Sequence, residues 1–180
     1  MDNALEGIAS GEDATAPPPQ RLIEFLLPMV IVGIDQATKA MVRASVPVHD
    51  SVTVIPGFLD ITHALNSGAA FGILNGADFP FKTVIIAVIA TAALIGVGMY
   101  AASLSHHQLV ARIGLALIIG GAAGNLVDRV LTGSVVDFVD VYWRTHHFWA
   151  FNVADSAISV GVTMLILDML TTGPHVSKTV

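Results

Sequence analysis

From Lys82 to Leu104 the chain runs for about 20 residues that are apolar and carry no charge after Lys82, long enough for a helix to cross a ~30 Å hydrocarbon core. A segment of that kind constrains everything around it. Lipid offers no hydrogen bonds, so the backbone must satisfy itself and a helix is the expected form. Three further apolar runs flank it, at residues 22–46, 109–131 and 151–171. Composition agrees with a membrane protein. The chain has 180 residues, 54% hydrophobic and 12% charged, with mean hydropathy +0.74, where a soluble domain carries about 25% charged residues. The expected fold class is a mainly α membrane protein: four transmembrane helices with small extra-membrane elements, forming one domain over residues 21–172.

What composition excludes is equally useful. A net charge of -6 argues against nucleic-acid binding, which needs a basic footprint. There is no cysteine, so disulfides, thiolate metal sites, thiol nucleophiles and lipid attachment through cysteine are absent. Residues 1–20 are acidic, small and proline-rich. They read as a disordered tail, and without a basic start they do not read as a signal peptide.

The first span is apolar apart from Glu24, Asp35, Gln36, Lys39 and Arg43. Asp35 and Lys39 stand at i,i+4 and share a face; the plain reading is an interfacial salt bridge where the helix leaves the bilayer. Residues 47–80 are too polar and broken to span. Ser51–Ile55 and Phe58–Leu65 have strand composition, separated by the turn signal Pro56-Gly57. Asn66-Ser67-Gly68 follows, where Asn66 either bridges backbone groups or simply belongs to a loop. His106-His107, between the second and third spans, reads as a solvated turn.

The richest stretch is Gly120–Asp155, which holds four aspartates together with Asn125 and Asn152. Polar groups concentrated at membrane-helix ends are costly and mark a functional site. Gly120, Gly121 and Gly124 allow another backbone or a substrate to approach the third span closely. Asn125, Asp128 and Arg129 stand at i, i+3 and i+4, and Arg129 is expected to neutralise Asp128 or a neighbouring carboxylate. Thr132-Gly133 breaks the helix, and Ser134–Trp143 reads as a strand. On that strand Asp137 and Asp140 point to opposite faces, so they do not form a pair with each other. Trp143, His147, Phe148 and Trp149 suggest an interfacial aromatic belt. His146-His147 lacks a metal-site context, and no metal is expected. Asn152, Asp155, Ser156 and Ser159 form one polar stripe near the start of the fourth span.

Asp137 and Asp155 are then the candidates for a working pair. Two neighbouring carboxylates cannot both ionise easily; one keeps a proton, so the pair can activate water and protonate a leaving group. The competing reading is a set of interfacial carboxylates paired with Arg129 and Lys39. From other classes, a small proton- or ion-coupled transporter is the alternative. It fits less well, because the carboxylates cluster at one end and the halves show no repeat. A membrane scaffold would need no such residues, and a serine protease would need a histidine base that Ser134 and Ser156 lack.

Five blocks, Asp35-Gln36-Ala37-Thr38-Lys39, Asn66-Ser67-Gly68-Ala69-Ala70-Phe71, Gly124-Asn125-Leu126-Val127-Asp128-Arg129, Val135-Val136-Asp137-Phe138 and Phe151-Asn152-Val153-Ala154-Asp155-Ser156, resemble the prolipoprotein signal peptidases (signal peptidase II). The resemblance runs from about residue 22 to 171. It implies a bacterial inner-membrane aspartic endopeptidase that cuts a lipoprotein precursor just before a cysteine carrying diacylglyceryl. It implies a catalytic pair at Asp137 and Asp155. Supporting positions are Asp35, Lys39, Asn66, Gly121, Asn125, Asp128, Arg129 and Asn152. It also implies a small periplasmic sheet with a short helix, cytoplasmic termini including the tail at 173–180, a site near the periplasmic face, and inhibition by globomycin. The expected partners are the lipidated precursor and membrane lipid. The chain is expected to act as a monomer without cofactor. Counting basic residues does not favour cytoplasmic termini: Arg21, Arg112 and Lys178 lie on that side, against Lys39, Arg43, Lys82, Arg129 and Arg144 on the other.

Overall fold

The computed structural model describes residues 19–68, 76, 77, 79–105 and 108–172. The acidic segment before Pro19, His106-His107, the end of the second motif block (Ala69-Ala70-Phe71) and the tail from 173 onward lie outside them. Four helices, α1 (Pro19–Ser45), α2 (Lys82–Ser103), α3 (Leu109–Thr132) and α4 (Val153–Thr172), alternate with four strands, β1 (Ser51–Ile55), β2 (Leu59–Asn66), β3 (Val135–Trp143) and β4 (His146–His147). All four helices are long and apolar enough to cross a membrane. The 22 residues of α2 rise about 33 Å. Large apolar side chains such as Phe25, Met29, Met99 and Leu170 point outward, as lipid-facing positions do.

α3 is the central helix and packs against α1, α2 and α4. Its buried face is built largely from small residues, including Ala111, Gly114, Ala116, Gly120, Gly121 and Gly124. In a membrane, helices gain little from excluding water, so close van der Waals contact between small residues holds them together. A Cβ at Gly120 would meet Pro28 and Ile31 of α1, and one at Gly121 would run into the Ala154 carbonyl of α4. The glycine-rich face is therefore filled by neighbouring helices and leaves no room for a substrate. At Gly121 it is another backbone that approaches, the first of the two alternatives that the glycines leave open.

The sheet is antiparallel throughout, in the order β1-β2-β3-β4. Pro56-Gly57 makes the β1–β2 turn, with Gly57 at φ +79°, a left-handed conformation that glycine adopts without strain. β2 pairs with β3 through Asn66↔Val135 and Asp60↔Asp140, with a register shift between Ile61 and Ala64. β4 is only two residues long and was not legible as a strand. No short helix lies beside the sheet among the described residues. Val42 and Val46 from the end of α1 pack on Val136 and Phe138 of β3. Buried His63 meets the Val46 carbonyl at 2.8 Å through Nδ1. These contacts fix the sheet on the same end of the bundle as the start of α4.

Candidate active site

Gly133 ends α3 in the left-handed conformation (φ 80°), its N–H bonded to the Arg129 carbonyl at 3.2 Å, a usual helix stop. The chain then enters β3 at once, and β3 carries Asp137 into the interior. Asp137 is 5% exposed. Its Oδ2 accepts a bond from Asn66 Nδ2 at 3.0 Å, and its Oδ1 one from Asn152 Nδ2 at 2.7 Å. Burial pushes its carboxyl up, and the nearby Asp155 charge pushes it further; the two asparagine bonds work against both, and the result is about 7.

Asp155 is placed by the way α4 begins. Asn152 is the N-cap: its Oδ1 accepts from the Asp155 N–H at 2.9 Å, and Asp155 Oδ2 returns a contact to the Asn152 N–H at 3.3 Å. This is a reciprocal capping box with aspartate at its third helical position. α4 thus starts at Val153, and Phe151, expected inside the span, instead bridges to Val139 of β3. The other Asp155 oxygen accepts from Asn125 Nδ2 at 2.8 Å. Asn125 and Asn152 are themselves joined, at 3.1 Å. Two asparagines therefore link the two carboxylates.

Beneath this layer lies a buried charge cluster. Lys39, 0% exposed, sits 2.8 Å from Asp35, 2.8 Å from Asp128 and 2.9 Å from the Asn125 side-chain oxygen. Arg43 reaches Asp128 at 2.7 Å. Asp35 also accepts from the Ala154 N–H at 3.0 Å, placing a negative charge at the positive end of α4. The Asp35–Lys39 pair does form, but in the interior and not at the surface expected from its spacing. Gln36, whose amide nitrogen lies 3.1 Å from the Gly124 carbonyl and 3.2 Å from Asp35, joins the cluster; neither it nor Arg43 was singled out from sequence.

Asn66, Asn125, Arg129, Asp137 and Asp155 form the polar end of a cavity of about 530 Å³. Its apolar part is made by Ile86 of α2, Ile158 and Val160 of α4, and the Phe148–Phe151 segment. Among the described residues Arg129 makes no direct ion pair with a carboxylate. Its bonds go to the carbonyls of Asn125 (3.1 Å) and Gly68 (2.9 Å), and its Nε has no partner among the described residues. Asp140 lies apart from this cavity and meets His147 at 2.8 Å; it forms no pair with Asp137, as the alternation along β3 requires. Among the described residues no three His, Asp or Glu side chains converge as a metal site would need. Of the supporting positions, Asn66, Asn125, Arg129 and Asn152 touch the carboxylates or the cavity. Asp35, Lys39 and Asp128 act from below, through Asn125 and the start of α4.

A family model described as signal peptidase (SPase) II matches residues 27–171. A lipoprotein signal peptidase of Geobacter metallireducens is 44% identical over 84% of this chain and 93% of its own length. One from Solibacter usitatus is 48% identical over 78% of this chain and 86% of its own. A solved bacterial membrane enzyme, obtained by the in meso method at 2.3 Å, superposes with a TM-score of 0.72 at 33% identity, covering 84% of this chain and 92% of that one. With four membrane-crossing helices and these matches along its length, the chain is a multi-pass bacterial membrane protein that belongs to the signal peptidase II family of lipoprotein signal peptidases.

Proposed function

We propose that this peptidase is an aspartic endopeptidase in which Asp137 and Asp155 together activate water and cut a diacylglyceryl-modified precursor just before its lipidated cysteine. The observation that carries the reading is the shared support of the two carboxylates. Asn152 donates to both, from its side-chain amide to Asp137 and from its backbone N–H to Asp155, Asn125 joins Asn152 to Asp155, and both aspartates border one cavity. With one proton on the pair, the ionised carboxylate takes a proton from water as its oxygen attacks the scissile carbonyl carbon. The protonated one donates to the carbonyl oxygen. Collapse of the tetrahedral intermediate breaks the C–N bond as the pair returns a proton to the leaving amine. No metal takes part. Arg129, which lines the cavity, orients a substrate carbonyl.

A lipidated substrate arrives sideways from the bilayer, so the catalytic residues belong at interface depth. The cavity fits that demand, with its carboxylates where β3 meets α4 and its apolar part between α2 and α4. The sheet would lie on the periplasmic side and both termini in the cytoplasm of an inner-membrane monomer. A globomycin-type inhibitor is expected in the same cavity. The transporter alternative draws no support from a carboxylate pair placed at one end of the bundle.

The test is cleavage of a diacylglyceryl prolipoprotein by the purified wild type, Asp137→Asn and Asp155→Asn, each checked for folding in detergent. Loss of activity by a factor of about 10³ or more in both variants is expected, with mass spectrometry placing the new N-terminus at the lipidated cysteine and a chelator leaving the rate unchanged. A folded variant that cleaves near the wild-type rate would remove that aspartate from the mechanism.

A further inference from the structure

A second cavity, of about 370 Å³, opens on the sheet beside the first. That is within the ~300–1,000 Å³ range of small-molecule sites. Thr62 and Ala64 of β2, Asp140 of β3 and His147 of β4 line it together with Phe148, Trp149 and Ala150. The last three residues also line the first cavity, so the two spaces adjoin along this segment. We propose that the sheet cavity receives the first side chains of the mature lipoprotein, immediately after the lipidated cysteine, and favours basic over acidic residues there. The inference rests on the peptidase reading above.

A precursor has two unlike halves at the cut. Its signal segment is apolar and belongs with the lipid-facing cavity. The mature half must leave the membrane from the scissile bond, and the sheet is what lies on that side of the carboxylates. An extended chain advances about 3.3 Å per residue, so one or two residues past the cysteine are enough to pass from one space to the other.

The charge preference follows from what lines and surrounds the second cavity. Asp140 is held by His147 Nδ1 at 2.8 and 3.1 Å. The His147 ring is stacked on Tyr142, with centroids 4.8 Å apart. Directly across the ladder Asp140 faces Asp60, whose carboxylate accepts from the Tyr142 hydroxyl at 3.3 Å. Like charges opposite each other on neighbouring strands repel, and among the described residues neither carboxylate has a lysine or arginine ion-pair partner. A substrate ammonium or guanidinium entering beside Asp140 would relieve that repulsion. A substrate carboxylate would add to it.

The test uses three diacylglyceryl prolipoprotein substrates that differ only in having lysine, alanine or aspartate at the residues just after the cysteine. The enzyme is the full chain in detergent at low salt and about pH 7.5, above the usual histidine range. The expected kcat/KM order for the wild type is lysine, alanine, aspartate, with lysine over aspartate by about five- to tenfold, the scale of a partly exposed charge interaction that changes from attraction to repulsion. Asp140→Asn should bring that ratio below about twofold and Asp140→Lys should invert it, which a merely structural role would not do. If both variants fail to fold, the wild type still decides: the preference must shrink when ionic strength is raised to about 0.5 M. A wild-type ratio near one, a ratio that salt leaves unchanged, or a ratio unaltered in folded Asp140→Asn would overturn the proposal. Failure to cleave even the alanine substrate would instead strike at the peptidase reading.

Discussion

Asn152 has one side-chain amide, and three acceptors converge on its nitrogen: Asp137 Oδ1 at 2.7 Å, Asn125 Oδ1 at 3.1 Å and the Val136 carbonyl at 3.3 Å. Its oxygen meanwhile caps α4. Replacing it with alanine should cost about 1–2 kcal/mol from the lost cap alone and should lower kcat by about 100-fold or more, since Asp137 loses a direct bond and the Asn125 that holds Asp155 loses its partner. Asn152→Asp keeps the cap oxygen but sets a buried carboxylate oxygen against these three acceptors, so it should recover neither melting temperature nor kcat. Asp137 sets the pH behaviour. Its carboxyl rises from 3.8 to about 7 on folding, so between those values the folded state holds a proton that the unfolded chain has released. Stability therefore falls as pH rises through that window, and the effect is complete above it. The melting temperature of wild type should fall more steeply from about pH 4 to about pH 7.5 than that of Asp137→Asn. Activity should decline above about pH 7, by about tenfold per unit once the pair has lost its shared proton.

At the scale of elements, the contact between α3 and α4 depends on the absence of side chains. A Cβ at Gly121 would collide with the Ala154 carbonyl, whereas one at Gly33 on α1 would meet nothing within 4 Å. Gly121→Ala should destabilise by about 1–3 kcal/mol or more through overpacking. Gly33→Ala should be neutral or stabilising by up to about 1 kcal/mol; thermal unfolding in detergent compares them directly. The helices were legible because length and apolarity alone specify a span. The stop at Gly133 was legible because Thr132-Gly133 is a known break. The start of α4 was misplaced by two residues, although Asn152-Val153-Ala154-Asp155 carries the capping-box spacing that marks it. β4 has too few residues to show any alternation. The reach of Gly121 depends on which neighbour fills the space, and spacing does not tell that.

Across the whole molecule, most of the basic residues are held by the fold, so a count of them carries little topological weight. Of the cations at the sheet end, Lys39 and Arg43 are ion-paired with buried carboxylates, Lys82 bonds to Ser67 and the Ala77 carbonyl, and Arg129 lines the cavity. They are committed to the structure and say little about which leaflet they face. At the other end Arg112 is paired with Glu24. Because the chain has no native cysteine, a single cysteine introduced at position 57 or 178 reports orientation directly. An impermeant thiol reagent on whole spheroplasts should label the first and not the second. Burial of Lys39 was beyond the reach of an i,i+4 pattern, since the pattern is the same on a surface. Its removal is the sharper test. Lys39→Met leaves Asp35 and Asp128 with less counter-charge in the interior and should cost about 3–5 kcal/mol. Arg43→Met, at a position 31% exposed, should cost much less, and denaturant midpoints would rank the two.

The charge cluster draws Asp35 and Lys39 from the first helix and Asp128 from the third, whereas Asp155 and the asparagine that orients it arrive only with the fourth. A ribosome makes these in order. The nascent chain can neutralise its buried ions as soon as three spans are in the bilayer, yet it has only one of the two carboxylates until the last is inserted. If both aspartates are needed for cleavage, as proposed, proteolytic competence would be withheld until synthesis of the four spans is nearly complete. On that reading a three-span intermediate would hold its buried ions neutralised and yet be unable to cut a signal segment beside it.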